Sequence, residues 1–258
     1  MRWYAGTSGY SYKEWKGVFY PDDLPNDQML RYYAEHLTAV EINNTFYRMP
    51  RPAVLESWAA AVPEDFRFVI KASRRITHQQ RLQNTQDSVR YLVDNLQALG
   101  NKLAAVLFQL PPNLRCDRDR LAGFLDTLPH ALPVAFEFRH PSWHDDAIYT
   151  LLSERGVALC AAEDDESPSP ERIATAPWLY LRLRKADYTD QALKDWARRG
   201  QATGVATGYA FFKHEDEATG PGFAARFLAL TRTRERKAPQ AAASRRRTGV
   251  PGAASEGA

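Results

Sequence analysis

The stretch VAFEFR at residues 134–139 is a short apolar run that ends in charge. The same design recurs as WYAGT (3–7), VEINN (40–44), FRFVIK (66–71), AVLFQL (105–110), VALCAAED (157–164), WLYLRLR (178–184) and GYAFFK (208–213). Each run hands over to a loop, and in most cases to a helix-like segment. Strand-like runs alternating with helix-like segments argue a parallel sheet, and eight units in about 250 residues argue a closed (β/α)8 TIM barrel. Such barrels carry their chemistry at the carboxyl ends of the strands, so the pattern locates a site before it defines a reaction.

Several helices are legible between the runs. Residues 86–99 place Val89, Leu92, Val93, Leu96 and Leu99 on one face, with Thr85 as N-cap and Gly100 as terminator. Residues 190–199 repeat the design, with Asp190 near the cap and Gly200 after the end, and residues 145–154 form a third, stopped by Gly156. Between the sixth and seventh runs there is only an acidic, proline-broken segment, EDDESPSPERIATAP, so the barrel is expected to be irregular or truncated around its sixth helix.

The whole chain of 258 residues carries a net charge of +3. Residues 231–258, TRTRERKAPQAAASRRRTGVPGAASEGA, hold seven basic and two acidic residues, a net of +5, which leaves −2 for residues 1–230. The barrel is therefore expected over 1–230, followed by a disordered basic tail poor in bulky apolar residues. A near-neutral body gives no case for nucleic-acid binding by the barrel, and only Arg245, Arg246 and Arg247 offer weak contact with RNA or acidic lipid. Cys116 and Cys160 lie far apart without framework spacing, and Met1 and Arg2 lead straight into the first run. No apolar stretch approaches the ~20 residues of a membrane helix, so a cytoplasmic protein is expected.

Strand side chains alternate faces, and the outward face of a barrel strand packs under helices. Taking Val40 and Ile42, Phe66, Phe68 and Ile70, Val106, Phe108 and Leu110, Phe136 and Phe138, and Leu179, Leu181 and Leu183 as outward turns their polar neighbours inward. The inward set is Glu41, Asn43, Lys71, Gln109, Glu137, Arg139, Arg182 and Arg184, joined by Asp164 and Lys213 from the sixth and eighth runs. An unpaired buried ion costs several kcal/mol, so charge gathered at one mouth points either to function or to mutual ion pairing.

Beyond parity, GTSGYSYKEWKGVFYP (6–21), VEINNTFYRMP (40–50), FRFVIKASRRITH (66–78), VLFQLPP (106–112) and FEFRHPSW (136–143) resemble the YecE-like family, domain of unknown function 72. The resemblance runs over roughly residues 1–230. It implies a TIM barrel of uncharacterised activity, sometimes described as related to sugar isomerases. Two places depart from the family pattern. Arg182-Leu183-Arg184-Lys185 stands where Arg-x-His-Gly is expected, and Phe212-Lys213-His214-Glu215-Asp216 replaces a Phe-Asn-Asn run. Roles of that histidine and those asparagines do not transfer.

Three chemistries follow. Arg182, Arg184, Lys185 and Lys213, with Gly220-Pro221-Gly222 opening the last helix, suit a phosphate or carboxylate held after strands seven and eight. Glu137 and Glu41 suit divided acid and base roles, with Lys71 and Arg139 as electrostatic stabilisers and Lys71, if desolvated, as a Schiff-base nucleophile. The plain alternative for Lys71 is a salt bridge to Glu41 or Glu137. Asn43, Tyr47, His78, Gln109, His140, Trp143, Asp164, Arg182, Arg184 and Lys213 form the candidate substrate-binding set, the aromatics offering stacking surfaces.

The weaker chemistry is a divalent metal held among His78, His140, His144, His214, Glu163 and Asp164; no ligand set is assigned, and no nucleotide-cofactor fingerprint is present. The expected function is acid–base chemistry on a small anionic, sugar-phosphate-like substrate. The alternatives are a metal-dependent phosphodiester or nucleic-acid hydrolase, and a ligand-binding or regulatory barrel without catalysis.

Overall fold

A computed structural model describes residues 1–213 and 218–235. Eight strands, β1 (Arg2–Thr7), β2 (Ala39–Ile42), β3 (Arg67–Lys71), β4 (Leu103–Gln109), β5 (Val134–Glu137), β6 (Ala158–Glu163), β7 (Trp178–Leu183) and β8 (Thr207–Phe212), form one parallel sheet. Its hydrogen-bonded order is β1-β8-β7-β6-β5-β4-β3-β2, a nearly closed barrel with its seam between β1 and β2. Helices α1 (Met29–His36), α2 (Pro52–Ala61), α3 (Gln86–Leu96), α4 (Arg118–Leu125), α5 (Asp146–Glu154), α6 (Asp190–Ala202) and α7 (Thr219–Glu235) lie between or after the strands. No helix separates β6 from β7, as the proline-broken segment predicts.

The alternation of side chains holds through the sheet. Val40, Ile42, Phe68, Ile70, Val106, Phe108, Phe136 and the three β7 leucines pack in the outer core beneath the helices. The opposite parity fills the barrel interior with Tyr4, Val69, Leu107, Cys160, Tyr180, Tyr209 and Phe211, among small alanines. Two aromatic pairs make its floor: Tyr4 on Tyr209, centroids 5.3 Å apart, and Tyr180 on Phe211 at 5.4 Å. These close-packed aromatic layers separate the amino end, where Arg2 and Arg67 lie over the Tyr4 ring, from the carboxyl end, where the candidate polar residues gather.

The seam is bridged by side chains and a backbone hydrogen bond from Thr38 instead of a strand ladder. The Tyr33 hydroxyl, from α1, accepts from the Thr7 amide at 2.7 Å and donates to Ala39 O at 3.1 Å. Thr38 adds a pair across the same gap, its amide donating to Ala5 O at 3.2 Å and its hydroxyl accepting from the Ala5 amide at 3.0 Å. Gly6 stands where the strands approach closest; a Cβ there would lie 1.7 Å from Ala39 O and 2.6 Å from the Tyr33 oxygen.

Two helix-end expectations change, at Thr85 and Gly200, while Asp190 does follow directly on its helix cap. Thr85 makes no side-chain cap bond. At α6 the cap is Thr189, whose hydroxyl accepts from the Ala192 amide, and the helix runs through Gly200 to Ala202. Gly200 is buried because the Trp3 indole occupies the space of its Cβ, so that glycine serves packing, not termination. Helix α7 extends past residue 230. Residues 236–258, with Arg245, Arg246 and Arg247, and also His214, Glu215 and Asp216, lie outside the described residues. No helix among the described residues is long and apolar enough to cross a membrane.

Candidate functional site

Above the aromatic floor, β2, β5 and β7 deliver Glu41, Glu137 and Arg182 to one point. Arg182 Nη2 donates to Glu41 Oε1 at 2.9 Å and Nη1 to Glu137 Oε2 at 2.5 Å. Glu41 also accepts from Ser8 Oγ at 2.8 Å and from the Tyr180 hydroxyl at 2.6 Å. Glu137 accepts from Gln109 Nε2 at 2.8 Å. All three charges are buried, with relative exposures of 0% for Glu41 and 3% each for Glu137 and Arg182. Such a cluster is tolerable because every carboxylate oxygen has a donor.

Burial alone would raise both carboxyls, but the Arg182 guanidinium and the hydroxyl and amide donors outweigh it, so both lie below their ordinary value of 4.5. From sequence, acid and base roles divide between Glu41 and Glu137; here the surroundings favour the ionised form of both, and Glu41 is wholly enclosed. A folded value below the unfolded one makes each carboxylate stabilising above about pH 4.5, and that stabilisation is lost as pH falls through the lower folded values. Thermal melts from pH 7 to pH 3 should hold their midpoint down to about pH 4.5 and then fall. A profile that Glu41→Gln leaves unchanged would contradict the cluster's role.

A cavity of about 290 Å³ opens at the carboxyl ends of β5, β6 and β7. Glu137, Arg139, Cys160, Asp164, Arg184 and His144 are among its lining residues. Glu137 thus faces both the Arg182 cluster and the cavity. Asp164 accepts from the Glu166 and Ser167 amides at 3.1 and 2.8 Å, a turn that fixes its carboxylate at the rim. The Arg139 and Arg184 guanidinium groups have no ion pair among the described residues. Arg182, expected to hold an anionic ligand, is instead consumed by two carboxylates. Gly220 is likewise a packing position, since Lys213 O fills the space of its Cβ at 2.1 Å.

Lys71, half-buried at the end of β3, makes neither of the expected salt bridges. Its Nζ lies 4.5 Å from the Phe46 ring centroid. Burial, reinforced by Arg182, pushes it down to about 8 against the pull of Glu41 and Glu137. His78 meets the same Phe46 ring edge-on at 4.9 Å. Burial and the charges of Lys71, Arg74 and Arg139 hold it below the ordinary histidine value.

The remaining candidates are more dispersed. Asn43 donates to Ser8 O at 3.3 Å, on the β2 side of the mouth. His140 accepts from the Ser142 amide at 3.1 Å and caps a short turn. Trp143 is fully buried, stacked on Phe138 at 4.8 Å with its indole donating to Leu114 O at 2.7 Å, so it forms the wall behind the mouth and presents no stacking face. Tyr47 is 72% exposed and borders a separate groove with Met49, Arg75 and Tyr91. Among the described residues no group of three or more His, Cys, Asp or Glu is placed to hold a metal ion. Glu163 is engaged by Trp196 Nε1 at 2.8 Å and Lys185 Nζ at 3.1 Å, and His214 lies outside the described residues.

Sequence reasoning missed Tyr180, Ser8 and Cys160. Tyr180 was within reach, because the parity that turns Arg182 inward turns Tyr180 inward too. Ser8 follows β1 and has no strand parity, and an apolar strand gives no reason to single out Cys160.

Fold and mouth together define a TIM-barrel-like protein with a charged cavity at the carboxyl ends of its strands. A family model described as protein of unknown function DUF72 matches residues 4–247, and the chain belongs to that family. UPF0759 protein YunF of Bacillus subtilis (strain 168) is 31% identical over 155 residues, 57% of this chain and 54% of that protein. UPF0759 protein YecE of Escherichia coli (strain K12) is 29% identical over 160 residues, 60% of this chain and 56% of that protein. The matched region thus spans little more than half the length of these relatives. A crystal structure of a DUF72 family protein from Thermotoga maritima MSB8 superposes with a TM-score of 0.77 at 25% identity, covering 91% of this chain and 100% of that one. One from Enterococcus faecalis V583 gives 0.74 at 20% identity, covering 90% and 96%, a likeness of fold.

Proposed function

We propose that this chain is a cytoplasmic enzyme performing acid–base chemistry on a small anionic, polyhydroxylated molecule, of sugar-phosphate type, bound at the carboxyl-terminal mouth. The observation that carries this reading is the ionised Glu137 on the wall of a 290 Å³ cavity beside Arg139 and Arg184, two guanidinium groups without an ion pair among the described residues. Arginine forks suit phosphate or carboxylate oxygens, and an ionised carboxylate accepts hydrogen bonds from substrate hydroxyls. Gln109 and Arg182 are positioning residues that fix the Glu137 carboxylate. Lys71, pushed down to about 8, is able to exchange a proton near neutral pH. Asn43, on the opposite rim, is suited to orienting a hydroxyl.

A thermal-shift screen against sugar phosphates, sugar acids and the matching neutral sugars tests this reading. A ligand at ~100 times its Kd stabilises by about 2.7 kcal/mol, about 5–11 °C for a chain of this size. Replacing Arg139 and Arg184 together with Met should weaken the anionic hit by about 100-fold or more, since hydrogen bonds to charged groups contribute about 1.5–3 kcal/mol each. Equal responses to charged and neutral sugars, or an anionic hit indifferent to the double substitution, would overturn it.

A further inference from the structure

Resting on that reading, we infer that Lys71 is a carbonyl-trapping residue: its side-chain amine adds to the aldehyde or ketone carbon of the anionic hydroxylated substrate and holds it as an imine. The argument starts from what Lys71 lacks. Fully buried charges in folded proteins are almost always paired, and the half-buried Lys102 and Lys185 follow that pattern here. Lys102 donates to Ala59 O and Val62 O at 2.7 and 2.9 Å, and Lys185 pairs with Glu163 at 3.1 Å. Lys71 Nζ has no hydrogen bond or ion pair among the described residues, only the face of Phe46. The carboxylates whose charge reaches it, Glu41 and Glu137, are both bound by Arg182.

Arg182 has a second effect on Lys71. It supplies positive charge near the amine while tying up the counter-ions that would otherwise hold it protonated. With burial, this leaves a sizeable neutral fraction at pH 7.5, where an exposed lysine is almost entirely ammonium. The base of the side chain is rigid: Thr45 Oγ1 donates to Lys71 O at 2.7 Å, and the Ala72 amide donates to Leu107 O at 2.9 Å. A fixed backbone, an aromatic platform and no competing salt bridge are what an amine nucleophile in a barrel mouth requires.

The step balances without an added reagent. The amine lone pair forms a C–N bond to the carbonyl carbon while the C=O π pair moves to oxygen, and a proton passes from nitrogen to that oxygen to give a carbinolamine. The hydroxyl then takes up the remaining N–H proton and leaves as water, breaking the C–O bond as the nitrogen pair forms the C=N bond, and the sum is amine plus carbonyl giving imine plus water.

The test incubates the whole protein at pH 7.5 with glyceraldehyde 3-phosphate, dihydroxyacetone phosphate or ribose 5-phosphate and sodium cyanoborohydride, followed by peptide mass spectrometry. The reduced adduct is expected on the Lys71 peptide about tenfold or more faster than on exposed lysines such as Lys13 and Lys194. It should be absent in Lys71→Arg, which keeps the charge, folding being checked by circular dichroism. Glycerol 3-phosphate and ribitol 5-phosphate, which have no carbonyl in any form, separate the two readings. If they raise the melting temperature while no Lys71 adduct forms with any of the three carbonyl compounds, the covalent role is overturned and the binding reading stands. If no phosphate ligand stabilises the protein and labelling is even across its lysines, both fall.

Discussion

Replacing Arg182 with Met lowers the melting temperature by about 6–20 °C at pH 7.5. The substitution removes the shared partner of two carboxylates at 0% and 3% exposure. Breaking a buried pair by deleting one member costs about 3–5 kcal/mol, and a chain of this size loses about 2–4 °C per kcal/mol. The loss comes from the stranded charges, so it should shrink when they are removed. Adding Glu41→Gln and Glu137→Gln to the Arg182→Met variant should recover most of the stability, and the deficit of the single variant should narrow towards pH 3 as the carboxyls protonate. Differential scanning calorimetry at pH 7.5 and pH 3 decides it. A drop of under 2 °C, or one the glutamines do not relieve, would mean the cluster is not the keystone of the mouth. The same measurement bears on function, because a loss of ligand binding in this variant must be read against its loss of fold.

The second large effect is expected at Gly6→Ala, which should reduce stability by about 5 kcal/mol, on the scale of the whole folding free energy of many domains. The new methyl would sit 1.7 Å from Ala39 O and 2.6 Å from the Tyr33 oxygen, so β1 and β2 must part. Parting breaks the Tyr33 bridge and leaves the buried Thr7 amide and Ala39 carbonyl without their partner, at about 1–3 kcal/mol each on top of the strain. Gly123→Ala is the control. It lies within α4 with nothing within 4 Å of its would-be Cβ, and should stabilise by about 0.5–1 kcal/mol. Urea denaturation of the three proteins compares them directly. Near-native stability of the Gly6 variant would show that the seam yields without cost.

The barrel was legible because strand parity and the strand–helix alternation are local properties, and both survive in the structure at β2, β3, β4, β5 and β7. Parity also gathered Glu41, Lys71, Glu137 and Arg182 at one mouth. It could not say which charges would meet, because that depends on how far each strand is staggered along the barrel axis. Arg182 reaches residues 141 and 45 positions away, while Lys71 reaches no carboxylate. Trp143 and Gly200 show the same limit. The first looks like a ligand-stacking ring and the second like a helix stop, yet each is spent on packing against a residue distant in sequence, Leu114 in one case and Trp3 in the other. The seam was invisible for a related reason: nothing in the spacing around Tyr33 shows that its hydroxyl stands in for a strand ladder.

That seam also sets an order of events in time. The ladder of β1 is with β8, pairing Arg2 to Thr207 and Thr7 to Phe212, the longest separation the sheet spans. Contacts so remote carry the largest loop-closure entropy and form slowly. A chain emerging amino terminus first therefore holds its opening strand unladdered, with its edge exposed, until residues 207–212 follow. The contacts within earlier reach of β1 are those across the seam, from Tyr33 and Thr38. The phenol that completes the finished barrel is thus placed to chaperone its first strand through synthesis.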